Sequence, residues 1–268
     1  MSNEDNAVLE YLDGPPNQLP IVPLKQGDFD AVALSNNAYN VLSGYNDPRI
    51  MEYARPDNLD EMGQGDVDPM FSGATNGSEN ADACPKGGSR MALEYYDYPG
   101  DPVSTEKADG IIMTYAEVEL LLAEAAAKGM ITADVEAHYK AGIEASMQYR
   151  DVQYNTFGYD NFEDFYATSG VAYSDDAMQI WEQQWLNSFF HGLEPFFMVR
   201  RWMYEVDFDW NEIPFLTPTC ENQTNDQMPV RFPYPGEEQS LNSENYQEAV
   251  DRLVGGSNTQ DAKMWLVQ

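Results

Sequence analysis

The sequence predicts a mainly α-helical protein, made of tetratricopeptide-like helical hairpins that carry long irregular loops. Three observations lead there. Residues 111–150 hold two helical periodicities joined by a short linker, with alanine and glycine placed so that the helices can touch. Residues 174–204 repeat the arrangement in a more aromatic form. Residues 55–109, in contrast, are rich in Gly, Pro, Asn and Asp and show no period, which marks a long loop excursion. The full tetratricopeptide consensus is not present, so the likeness is one of helix pairing.

Taken in order, residues 3–27 read as irregular, because DGPPNQLPIVPLKQGD places four prolines close together and proline removes donors and blocks helix. Ser35 opens a short helix to about Ser43, with Ala38, Val41 and Leu42 on one side, and GYNDPR ends it. Near the end of the loop excursion, EYYDYPGDP gathers Tyr95, Tyr96 and Tyr98. The helix MTYAEVELLLAEAAAKGM follows. Thr114 and Glu117 stand at the capping-box positions, with Met113 and Val118 at the staple positions. Tyr115, Val118, Leu121, Leu122 and Ala125 keep the rhythm of a buried stripe, from which Glu119 and Glu124 fall off. Glu124 and Lys128 stand four apart in the favourable order, and Gly129 closes the helix, so all three glutamates have structural explanations.

A second helix spans about 132–150, with Val135, Tyr139 and Ile143 on one face. Ala123, Ala126 and Ala127 oppose Ala141, Gly142 and Ala145, and the short joint makes the two helices antiparallel. An aromatic and acidic connector includes a short helix near 161–167. Ser174 then caps a helix with Asp175 and Asp176 in its first turn and Ile180, Trp181, Trp185 and Phe189 on its buried side. Gly192 breaks it, and EPFFMVRRWM starts a partner with Pro195 in the first turn. The last element, 243–253, keeps Tyr246, Ala249, Val250 and Leu253 at helical spacing before Gly255 and Gly256.

The 268 residues include 14 Lys plus Arg against 46 Asp plus Glu, a formal charge of −32. Such a field repels phosphate backbones, so nucleic acid is excluded as a partner, and the acid excess speaks to solubility more than to chemistry. No apolar run is long enough to span a bilayer, and MSNEDNAVLE lacks the basic and then apolar start of a secretory leader. Cys84 and Cys220 are the two cysteines, and their pairing stays open; a bridge between them would stabilise by roughly 4–5 kcal/mol in the chain-entropy model. Neither sits in a C-x-x-C, which leaves metal or redox roles without support.

Chemistry is sparse. His138 and His191 are the two histidines, one within a helix and one at a helix end, placed for packing or capping. There is no G-x-S-x-G and no phosphate-binding glycine loop. Asp207, Asp209 and Asn211 imitate a calcium loop, but Glu212 stands where glycine is needed and Pro218 where the bidentate glutamate belongs. Neither a metal nor a cofactor is expected. Paired carboxylates about 5–10 Å apart, as in glycoside hydrolases, are the main enzymatic alternative, since their separation belongs to the fold. For binding, Tyr95, Tyr96 and Tyr98 with Asp97, Phe71 and Arg90 make a candidate ligand platform, because ring-shaped ligands stack on aromatic faces. The alternative for the tyrosines is that they seal a loop onto the helices.

Five segments resemble, in order, a SusD/RagB-type nutrient-binding lipoprotein of the SusD-like branch. They are LSNNAYNVLSGYNDPRI, IIMTYAEVELLLAEAAAKG, HYKAGIEASM, IWEQQWLNSFFHGLEPFFMVRRW and VRFPYPGEEQSLNSENYQEAV. The most specific pieces are the helix from Tyr115 to Ala125 and the run Arg231, Tyr234, Pro235, Glu238 and Asn242. The resemblance implies a non-enzymatic α-helical superhelix, lipid-anchored at the outer membrane, that delivers glycans or other nutrients to a SusC-like, TonB-dependent transporter. It implies a single domain over 1–268 that corresponds to the family's C-terminal portion, with the anchor outside this chain. It assigns the five motif residues a structural role, an arginine and a glutamate pinning a turn that proline pre-sets. A free-standing tetratricopeptide adaptor that binds peptides is the second alternative.

Overall fold

A computed structural model of the chain describes residues 1–11, 32–58, 68–75, 87–92, 109–207, 209, 212–217, 224, 226–227 and 229–264. The chain divides into two compact units, Met1–Thr75 with Pro85–Pro195 and Asn76–Cys84 with Phe196–Gln268. The first unit holds strand β1 (Ala7–Leu9), helices α1 (Asn36–Gly44) and α2 (Arg49–Tyr53), strand β2 (Gly110–Met113), and helices α3 (Tyr115–Ala127), α4 (Val135–Tyr149), α5 (Phe162–Thr168) and α6 (Ala177–Asn187). Helix α7 (Glu194–Glu205) begins at the end of that unit, and α8 (Gly236–Leu241) and α9 (Ser243–Asp251) belong to the second. The fold is mainly helical, as the periodicities require. No helix among the described residues is long and apolar enough to cross a membrane.

Short polar side chains start these helices by satisfying amides that have no intrahelical partner, each worth about 1 kcal/mol. Ser35 Oγ accepts from the Ala38 amide at 3.2 Å, Thr114 Oγ1 from Glu117 at 3.1 Å, and Asp134 Oδ1 from Ala137 at 3.1 Å. Asn161 does the same for Asp164 in α5. At α6 the cap is Asp176, whose carboxylate accepts from the Met178 amide at 2.9 Å, and not Ser174. Ser174 lies outside the helix, where Gln179 Oε1 accepts from both its amide and its hydroxyl.

Helices α3 and α4 form the expected antiparallel hairpin, since Glu119 meets His138 at 2.6 Å while Ala116 and Leu120 meet Gly142. The buried face of α3 differs from the predicted stripe. Ala116, Leu120, Ala123 and Glu124 are buried, whereas Tyr115, Val118, Leu122 and Ala125 are half-buried and Leu121 is exposed. The reason is close approach: a Cβ added at Gly142 would sit 2.6 Å from Leu120 Cγ and 3.2 Å from the Ala116 carbonyl. The glycine makes room for Leu120, so the helix turns Ala116, Leu120 and Ala123 inward and leaves Leu121 exposed.

The hairpin packs with α5 and α6 around Leu120, Tyr139, Ile143, Met147, Phe165 and Ile180, all with negligible exposure. Full burial of each such side chain is worth about 1.5–3 kcal/mol. A buried ion pair locks α2 into this core. The Arg49 guanidinium reaches the Asp47 carboxylate at 2.6 Å, Gln183 Oε1 of α6 at 2.6 Å and Ser146 Oγ of α4 at 3.4 Å. Asp47 also accepts from the Arg49 amide at 2.9 Å, so the Asp-Pro-Arg order begins the helix and places the guanidinium in one stroke.

The amino-terminal residues, expected to be irregular, contain β1, which pairs antiparallel with β2 through Ala7 and Met113 and through Val8 and Ile111. Asn3 donates to the Ala145 carbonyl at 2.9 Å, and Asn6 Oδ1 accepts from the Tyr115 amide at 2.6 Å. These long-range bonds hold a segment whose sequence carries little propensity of its own.

In the second unit, Trp202 is fully buried with Phe215 at its edge, 6.0 Å between centroids. Backbone bonds from Val230 to the Gln260 carbonyl (2.8 Å) and from Val254 to Lys263 (3.0 Å) tie the segments on either side of α8 and α9 together.

Candidate functional site

Tyr95, Tyr96, Asp97 and Tyr98 of the predicted platform lie outside the described residues, as do Cys84 and Cys220. Phe71 and Arg90 are both half-buried. They are held on neighbouring segments, because the Ser89 amide donates to the Ser72 carbonyl at 2.9 Å and the Ser72 amide to Ser89 Oγ at 2.9 Å. Asp57 binds both hydroxyls, Ser72 at 2.6 Å and Ser89 at 2.9 Å. Isolated bridges between Ala33 and Arg90 and between Ala54 and Met91 extend this stitching. Short hydrogen-bonded contacts thus organise the described parts of the loop excursion.

The motif residues stand in the second unit. Arg231 is buried, donates to Asn258 Oδ1 at 2.9 Å and to the Thr259 carbonyl at 3.1 Å, and stacks 4.6 Å over Tyr234. The Tyr234 amide donates to the same Asn258 oxygen, Pro235 precedes α8, and Glu238 accepts from Asn242 at 2.9 Å. Arginine and glutamate therefore act on different partners. Beside them an aromatic row, which the sequence reading missed, runs from Phe197 through Phe196 to Phe232, with centroid spacings of 5.8 and 5.9 Å. Phe232 is 71% exposed and Phe197 49%, and the Arg200 guanidinium lies 5.5 Å over the Phe196 ring.

The first unit contains a cavity of about 320 Å³, with Leu34, Ala38, Met91, Trp185, Phe189 and Phe190 on its wall. Trp185 and Phe189, predicted to be core, are half-buried because they face this space. Phe189 stacks on Tyr53 at 4.1 Å and meets Phe190 edge-on at 4.7 Å. Phe190 adopts φ +62°, a left-handed conformation that strains a bulky side chain and keeps its ring 38% exposed. The sequence signal for this turn was Ser-Phe-Phe-His-Gly, two rings before a glycine that itself takes φ +56°.

Glu124, expected at the surface, is buried and accepts from Trp181 Nε1 (3.1 Å), Gln184 Nε2 (2.9 Å) and Lys128 Nζ (2.8 Å). Burial pushes the Glu117 carboxyl above its ordinary range, opposed by His191, 3.8 Å away, and by the Thr114 amide. His191 Nε2 faces the Ile112 carbonyl at 3.1 Å and so carries the proton, pinning β2 to the turn after α6. Burial likewise raises Glu182, with Tyr45 and Arg49 opposing. Among the described residues, no carboxylate lines the cavity.

Comparison with known proteins gives a consistent picture. A family model described as starch-binding and associating with the outer membrane matches residues 1–235. A comparison with curated proteins finds no match. Among solved structures, a SusD homologue of Bacteroides fragilis NCTC 9343 is similar at 24% identity and a TM-score of 0.70, over 100% of this chain and 58% of its own. A Bacteroides vulgatus ATCC 8482 protein, whose description links it to the outer membrane and nutrient binding, aligns at 23% identity and a TM-score of 0.67, again over 100% and 58%. A chitin-binding protein aligns at 24% identity and a TM-score of 0.68, over 98% of this chain and 55% of its own. The chain therefore spans under two thirds of the length of these structures, and at such identities the likeness shows the fold.

Proposed function

The chain belongs to the SusD-like family, and on that premise we propose that it is a non-catalytic nutrient-binding subunit that presents a glycan to a SusC-like, TonB-dependent transporter. In this reading the protein is held at the outer membrane by a lipid. The observation that carries it is the family match over residues 1–235, whose description joins starch binding to the outer membrane. The packing of Glu124, buried and bonded to Trp181, Gln184 and Lys128, and the pairing of Glu119 with His138 favour binding over hydrolysis for these two acids, since both carboxylates join one helix to another.

Glycan capture uses aromatic faces with a few polar groups around them. Tyr95, Tyr96 and Tyr98, with Asp97, Phe71 and Arg90, are proposed as that surface, and the exposed ring of Phe232 offers another stacking face. The test is a glycan-array screen with the purified chain, followed by Tyr95→Ala, Tyr96→Ala and Tyr98→Ala. Weakened binding in at least one variant is expected. Unchanged affinity in all three removes the platform, and no binding to any glycan removes the glycan reading itself.

A further inference from the structure

The cavity of the first unit differs chemically from a sugar site. A sugar ring needs several hydrogen-bonding partners around it, and this wall has little to offer. Its hydroxyls already serve the chain: Tyr53 donates to the Leu186 carbonyl at 2.8 Å, Ser188 to the Trp185 carbonyl at 2.7 Å, and Ser35 caps the Ala38 amide. Among the described residues, no lysine, arginine, histidine or carboxylate stands on it. The remaining wall is aliphatic and aromatic, and its volume, about 320 Å³, is roughly twice that of a 150 Å³ apolar cavity that takes up benzene. At its margin Phe190 is held in a strained backbone conformation that leaves its ring partly exposed.

We propose that this cavity binds a small, uncharged, apolar molecule of about two fused rings, a ligand chemically distinct from a glycan. Leu34, Met91 and Trp185 supply its floor and walls, and the ring of Phe190 covers the bound molecule from one side. Charge opposes an anionic ligand twice: a buried charge meets no counter-ion on this wall, and the whole chain carries −32.

The probe is 1-N-phenylnaphthylamine, neutral and fluorescent in apolar surroundings, titrated into the whole chain. Saturable enhancement at one site is expected, with transfer from Trp185, and 8-anilinonaphthalene-1-sulfonate, which adds a sulfonate to similar rings, should bind more weakly. Ala38→Leu fills the space while keeping a good helix former in α1, and should weaken binding about tenfold, the effect of losing roughly two methylenes of apolar contact. Phe190→Gly removes the ring and relaxes the left-handed backbone, and should weaken binding with an unchanged circular dichroism spectrum. Absence of saturable enhancement, or equal affinity in Ala38→Leu with an unchanged circular dichroism spectrum, overturns the proposal. Displacement of the probe by a bound glycan also overturns it, because the cavity would then take a glycan. Failure of the chain to bind any glycan leaves the probe result standing and counts against the proposed function alone.

Discussion

Gly142→Ala is the sharpest probe of how the α3–α4 hairpin is built. In an ordinary helix interior this change stabilises by about 0.5–1 kcal/mol, because glycine loses more chain entropy on folding. Here the new methyl would lie 2.6 Å from Leu120 Cγ, 2.9 Å from its Cδ2 and 3.2 Å from the Ala116 carbonyl. Leu120 is fully buried, the contact falls on its Cγ near the root of the side chain, and the carbonyl belongs to a helix backbone. Overpacking of this kind costs about 1–3 kcal/mol against that gain of about 0.5–1 kcal/mol, which leaves a net loss of up to about 2.5 kcal/mol. Urea unfolding followed by tryptophan fluorescence suits the measurement, since Trp181 is bonded to Glu124 of α3. In a Leu120→Ala background, itself costing about 2–5 kcal/mol, the same Gly142→Ala change should become stabilising, so the cycle should show a coupling of about 1–3 kcal/mol. An increase in stability on Gly142→Ala in the otherwise unaltered chain would refute the close-contact argument.

Three further outcomes follow from the same contacts. Asp47→Ala strands the fully buried Arg49 and should cost about 3–5 kcal/mol, whereas the double change Asp47→Leu with Arg49→Met should cost clearly less, as read by chemical denaturation. The Glu182 carboxyl holds its proton more tightly folded than unfolded, so its contribution is most favourable below its ordinary value of 4.5 and erodes as pH rises through that value toward its raised native one. Glu182→Gln should therefore match the parent in acid and be more stable than it at neutral pH; equal stability at both would contradict this placement. Finally, a formal charge of −32 strains the compact state by self-repulsion, and salt screens it beyond about 8 Å at physiological ionic strength, so the thermal midpoint should rise with sodium chloride.

The hairpin and its caps were legible in the sequence because they rest on local rules. Thr114 and Ser35 cap where their position before an apolar run says they should. The face of α3 was not legible, since apolar residues surround most of that helix and the phase is set by Gly142 of another element. Asp176 replaces Ser174 because Gln179 binds Ser174, a choice between two good caps that propensity does not rank. The strand Ala7–Leu9 exists through its partner Gly110–Met113, more than a hundred residues away. The cavity was hidden for a similar reason: Leu34, Met91 and Trp185 come together only in the fold, and Trp185 and Phe189 read from sequence as core. Arg49 shows the opposite case, where Asp-Pro-Arg signals a turn into a helix and the structure adds why the arginine is there.

The central claim is that this helical frame holds a nutrient without transforming it. Affinity electrophoresis of the purified chain through gels containing starch, chitin oligomers or other neutral glycans, with the glycan's chain length checked in the same samples, tests that claim most directly. The account predicts retardation by at least one glycan whose length distribution stays unchanged. Shortening of the glycan, or free migration through all of them, would contradict it.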